Sequence, residues 1–117
     1  MADENKFKFD SKREMDAAAF SQAAYVMDQA RQNLDDKELS ERALKYNQML
    51  WSIVQADVSK AENSLPEELK ANLISLSIYV DKQTTKGLKN TSDELLDGLI
   101  NINLNIAEGL MEQSDSS

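Results

Sequence analysis

One proline and three glycines punctuate 117 residues. A sheet protein needs turn chemistry every ~10 residues, whereas long helices need almost none. The chain therefore reads as a few long helices, and its sequence marks where they begin. Ser11-Lys12-Arg13-Glu14, Ser64-Leu65-Pro66-Glu67 and Thr91-Ser92-Asp93-Glu94 share the pattern S/T-x-x-E. In that pattern the hydroxyl accepts from the amide three residues on, and the glutamate reaches back to the cap amide. Pro66 falls in a first turn, where a missing amide hydrogen costs nothing. A fourth start near Asp36 or Ser40 lacks the glutamate. These signals predict an all-α, single-domain bundle of about four helices, roughly 11–33, 38–60, 65–86 and 92–112. Each is about 30 Å long at 1.5 Å per residue. Gly87 is expected as the C-terminal residue of the third. Residues 1–10 are expected to be a flexible segment, with Phe7 and Phe9 free to dock on the body, and residues 113–117 a polar tail.

The last helix has a competitor. Ile100-Asn101-Ile102-Asn103-Leu104-Asn105-Ile106 alternates as a strand does. Wound at 100° per residue, however, Leu95, Leu96, Leu99, Ile100, Ile102, Leu104, Ile106, Ala107, Leu110 and Met111 fill one broad arc. The start signal at Thr91 and the lack of a partner strand favour the helix. The other expected core stripes are Met15, Ala19, Ala23, Val26 and Ala30; Leu39, Ala43, Tyr46, Leu50, Ile53 and Val54; and Leu65, Leu69, Leu73, Leu76 and Val80. Asn103, Asn47, Asp57 and Asn72 fall in or beside these stripes. A buried amide without a partner costs about 1–3 kcal/mol, so they are expected to pair with one another or with helix ends. Phe20 and Met27, Leu44 and Trp51, and the pair Ile74 and Ile78 lie outside the stripes. Such second apolar faces belong either to a wide bundle core or to a bound partner.

Composition narrows the chemistry. There is no Cys and no His, which removes disulfides, thiol nucleophiles, imidazole metal sites and histidine acid–base catalysis. The acidic pairs Asp35-Asp36, Glu67-Glu68 and Asp93-Glu94 sit at helix starts, where they complement the helix dipole instead of converging across a cleft. No Gly-rich phosphate loop, EF-hand loop or nucleophile elbow occurs. The expectation is a protein without enzymatic activity and without a cofactor or metal. Thirteen basic against 21 acidic residues leave a net charge of −8, which opposes nucleic-acid binding. Only Lys82, Lys86 and Lys89 cluster. No run of 18 apolar residues spans a membrane. The acidic start Met1–Lys6 lacks the apolar block of a secretory signal, so the expected location is cytoplasmic.

Several runs together resemble a known family. They are Tyr46-Asn47-Gln48-Met49-Leu50-Trp51, Asn63-Ser64-Leu65-Pro66-Glu67, Asn72-Leu73-Ile74-Ser75-Leu76, and Leu99-Ile100-Asn101-Ile102-Asn103 with Ile106 and Gly109-Leu110. This ordered set, N-x-x-L-W, N-x-L-P, N-x-x-S-L and I-N-x-N, resembles the FlaF flagellar regulators over about residues 11–112. Ser11–Ala18 is similar to that family's opening, an Arg-Glu-Leu-Glu with alanines. Here Met15 replaces the usual Leu, and Asn5–Phe9 differ from the usual Ala/Tyr-rich lead. By matched motif the family-pattern positions are Asn47, Leu50, Trp51, Leu65, Pro66, Asn72, Leu76, Asn101 and Asn103. Of these, Leu50, Leu65, Leu76 and Asn103 are expected in the core and Pro66 at a helix start.

The resemblance implies a small cytoplasmic protein of flagellated bacteria, mainly alphaproteobacteria. Such proteins promote flagellin synthesis or secretion, opposite in effect to the translational repressor FlbT. Binding flagellin as a secretion chaperone is the implied mechanism, and a regulator such as FlbT is a further candidate partner. Trp51, Ile74 and Ile78 are the expected partner surface. The alternative is post-transcriptional control of flagellin mRNA, directly through Lys82, Lys86 and Lys89 or through another regulator protein.

Overall fold

The computed structural model describes the backbone of residues 2–63 and 65–115 and the side chains of residues 14–63 and 65–112. It contains α1 (Ala2–Gln32), α2 (Lys37–Val58), α3 (Glu67–Lys89) and α4 (Asp93–Asp115), with no strand among the described residues. The four expected helices are present, and the alternating Ile/Asn segment is helical. Helix formation there satisfies every interior amide within the segment, which a lone strand would not do.

The boundaries differ from expectation for local reasons. α1 begins at Ala2, well ahead of Ser11, so the Ser11/Glu14 pair lies inside a helix and has no free amides to cap. The expected docking of Phe7 and Phe9 lies outside the described side chains. α2 is capped by Asp36, whose Oδ1 accepts from the Leu39 amide at 3.0 Å. At α3 the side chain of Ser64 lies outside the described residues. Pro66 is the N-cap itself, not a first-turn residue as expected, and makes no side-chain cap bond. The joint before it is held by Asn63, whose Oδ1 accepts from the Leu65 amide at 3.0 Å while its Nδ2 donates to Asp57 Oδ2 at 3.1 Å. At α4 the cap is Ser92 in place of Thr91: the Leu95 amide donates to Ser92 Oγ at 3.2 Å. The acidic residues do fall in first turns, Glu67 and Glu68 in α3 and Asp93 and Glu94 in α4.

Gly87 is a correction too. α3 continues past it to Lys89, and its φ is not positive. It is buried, and a Cβ there would stand 2.9 Å from Leu95 Cδ2 and 3.0 Å from Leu44 Cδ1. Its role is close approach between helices, not helix termination.

Short joints make successive helices antiparallel neighbours. α1 packs along α4 most extensively, α2 packs on both α3 and α1, and α3 touches α4 only slightly. Arg31 in the last turn of α1 bonds Asp28 at 2.8 Å and reaches Asp93 in the first turn of α4 at 3.3 Å, fastening that end of the closing pair. The core is built on Phe20, Met27, Leu44, Leu73, Val80, Leu96 and Leu99.

Two expected stripes are rotated. In α1, Ala17, Phe20, Ala23, Ala24, Met27 and Ala30 are buried, while Met15 is 70% exposed. In α2 the buried face is Ser40, Ala43, Leu44, Asn47, Trp51 and Val58, and Tyr46 and Ile53 face outward. Phe20, Met27, Leu44 and Trp51, which lay outside the expected stripes, are therefore core. The reason lies in the polar groups. A stripe chosen for apolar count turns Asn47 toward its edge, whereas the folded bundle centres on Asn47 because a partner meets it there.

Candidate partner-binding surface

That partner is Asn103. Its Nδ2 donates to Asn47 Oδ1 at 2.7 Å and to the Phe20 carbonyl at 3.3 Å, and its Oδ1 accepts from Trp51 Nε1 at 3.0 Å. Asn47 and Asn103 are fully buried and Trp51 is 2% exposed. The Trp51 ring meets Phe20 edge-on, with centroids 5.1 Å apart. The expected pairing of Asn47 with Asn103 is realised, and the pair sits where α1, α2 and α4 converge. Three of the family-pattern positions thus form one buried polar knot. It orients helices and presents nothing to a partner.

Trp51 is accordingly a correction. Its indole fills the core in place of an exposed anchor, because its N–H is needed to satisfy the Asn103 carbonyl. Ile74 is half-buried against the core, and Ile78 is 52% exposed. Ile78 and Trp51 line opposite parts of a cleft of about 200 Å³ between α2 and α3, which a weak Gln48–Asp81 hydrogen bond of 3.4 Å bridges. The structure thus brings Trp51 and Ile78 to one cleft, Trp51 buried and Ile78 exposed, and leaves Ile74 packed on the core. The remaining family-pattern positions divide. Leu50, Leu65 and Leu76 pack partly buried on the core, Pro66 is exposed, and Asn72 and Asn101 face outward, with Asn101 Nδ2 donating to Asp97 at 3.4 Å.

α2 carries three exposed apolar side chains, as α3 does with Ile78, Tyr79 and Leu88. Tyr46, Met49 and Ile53 follow one another by three and four residues on a single face. Tyr46 and Met49 line an open groove with Val26 of α1 and Leu39, and Arg42 and Lys45 form its rim. The signal for this groove was present in the sequence: once Leu44 and Trp51 take the core, Tyr46, Met49 and Ile53 are left over. Lys45 Nζ bonds Glu41 at 2.7 Å, and this bond holds the Glu41 carboxyl below its usual range. The hydrogen bond from Arg31 to Asp28 raises the guanidinium above its already high value. Among the described residues no group of three acidic side chains is placed to hold a metal, and no helix is long and apolar enough to cross a membrane.

Comparison with known proteins gives one family: the model for "Flagellar protein FlaF" matches residues 2–110. Neither curated proteins nor solved structures give a match.

Proposed function

Because the chain belongs to the FlaF family of flagellar proteins, whose role is in flagellum biogenesis, we propose that it is a non-catalytic cytoplasmic regulator that binds flagellin ahead of export. The observation that carries this reading is the family match over residues 2–110. The surface is compatible with it. A bundle with net charge −8 stays soluble while Tyr46, Met49 and Ile53 remain open on one helix face, the kind of surface that takes an amphipathic helix. A secretion chaperone needs such a surface and no reacting group.

Isothermal titration with freshly depolymerised flagellin monomer tests it, at low and moderate salt. Saturable binding near one to one with a negative heat-capacity change is expected, since apolar area is buried. No heat and no co-elution would sink direct binding. The mRNA reading through the exposed Lys82, Lys86 and Lys89 would then be tested by the salt dependence of RNA binding.

A further inference from the structure

Several depressions mark the described surface, and their linings differ in charge; the one at the α1–α2 joint includes Asp35 and Asp36. The cleft between α2 and α3 has a mixed lining that includes Asp81 and Lys82, and it is partly bridged by Gln48 and Asp81. The depression between α1 and α4 has Leu104 and Met111 on its floor and Glu14 and Glu108 among its lining residues. Carboxylates there are what a chain with 21 acidic residues supplies by default. The groove between α1 and α2 is the exception. Its floor is Val26, Leu39, Tyr46 and Met49, its charged lining residues are Arg42 and Lys45, and no acid lines it. Glu41 engages Lys45, whereas the exposed Arg42 side chain has neither a hydrogen bond nor an ion pair with any described residue.

From this charge pattern we propose that the α1/α2 groove docks an amphipathic helix whose apolar stripe is flanked by acidic residues. The shape suits a helix. Leu39 to Ile53 spans about four turns, or about 21 Å, and the exposed Ile53 lies one turn past Met49 on the same helix face, beyond the groove's own lining. Tyr and Met are well suited to such a floor. Tyr46 offers large area with few torsions to immobilise, and Met49 adapts its shape to the side chains it receives. Arg42 is free to fork onto an incoming carboxylate. The acidic flanks supply orientation and encounter rate, while the apolar stripe supplies most of the affinity. The identity of the partner rests on the flagellin reading, in which a helical terminal segment of flagellin is the occupant. The chemistry of the occupant rests on the groove alone.

The experiment uses the full chain and three probes: flagellin monomer, a helical peptide of about 18 residues with a leucine stripe flanked by glutamates, and the same peptide with lysines. Met49→Glu and Arg42→Glu alter exposed side chains, and unchanged helical circular dichroism and melting verify their fold. Leu104→Glu, on α4, is the control. The expected result is that the glutamate peptide binds and the lysine peptide does not. Both groove variants should weaken binding by about tenfold or more, Leu104→Glu should leave it unchanged, and rising salt should weaken it. Equal binding of the two peptides, or groove variants that bind the glutamate peptide as the parent does, would overturn the proposal. So would a loss confined to Ile78→Glu, which would move the contact to α3. Flagellin separates the two readings. If it binds the parent and the groove variants alike, the groove is wrong and flagellin binding stands. If the peptides behave as expected and flagellin does not bind, the groove stands and flagellin is the wrong partner.

Discussion

Removing the Asn103 amide strands three groups at once: the Trp51 indole N–H, the Asn47 carbonyl and the Phe20 carbonyl's second bond. A buried polar group left unpaired costs about 1–3 kcal/mol, and truncation adds a cavity. Asn103→Ala should therefore destabilise the bundle by about 3 kcal/mol, read as a lower urea midpoint. Asn47→Leu combined with Trp51→Phe and Asn103→Leu should cost less than the sum of the three single changes, since no polar partner is then left behind. A strictly additive result would remove the network from the account. That Asn47 and Asn103 pair was legible in the sequence, because two amides on apolar stripes need partners. That Trp51 joins them was not. The pairing crosses the bundle between helices 52 residues apart, and it depends on how far each helix is rotated. Periodicity leaves that angle open wherever a helix carries apolar residues on both sides of its stripe.

At the level of a single helix the informative comparisons are between neighbouring positions. Ser92 Oγ receives the Leu95 amide, so Ser92→Ala should cost about 1 kcal/mol, while Thr91→Ala should cost clearly less. The reverse ranking in thermal melts would restore Thr91 as the cap. The two glycines Gly98 and Gly87 separate in the same way. A Cβ at Gly98 meets nothing within 4 Å, so Gly98→Ala should stabilise α4 by about 0.5–1 kcal/mol through helix propensity. At Gly87 the same methyl presses on Leu44, which is fully buried, and on Leu95. Gly87→Ala should yield no such gain, and Gly87→Val should destabilise by about 1–3 kcal/mol. Helix number and type were legible here because the scarcity of breakers is a local signal, although the S/T-x-x-E patterns did not name the caps: Ser92 and not Thr91 caps α4. The start of α1 was not, since extending a helix is easier than nucleating one and a cap signature inside a helix goes unused. Nor was the role of Gly87, because close approach is a property of two helices and the sequence shows only one at a time.

Across the whole molecule the four helices are unequally held. α1 and α4 pack along each other most fully and are tied by Arg31 and Asp93, whereas α3 has broad support only from α2 and touches α4 slightly. Local opening free energy follows the buried contacts an element would lose, so the helices should differ in amide exchange. The middle turns of α1 and α4, around Phe20 and Asn103, should exchange slowest and approach the global unfolding free energy. The middle of α3 should exchange by a smaller opening that leaves α1, α2 and α4 in place. Leu73 and Val80 keep α3 docked on the core, so the difference is one of degree: α3 is expected to open first without being unfolded in the native state. Hydrogen exchange across a series of low urea concentrations reads this directly. A separate, weakly urea-dependent opening for α3 is the expected pattern, with α1 and α4 converging on the global unfolding isotherm. If α3 instead joins that isotherm at every urea concentration, the bundle is one cooperative unit. The Asn47–Asn103–Trp51 knot, which bonds α2 to α4 across the centre, would then couple the α2/α3 pair to α1/α4 more strongly than the slight α3–α4 packing indicates.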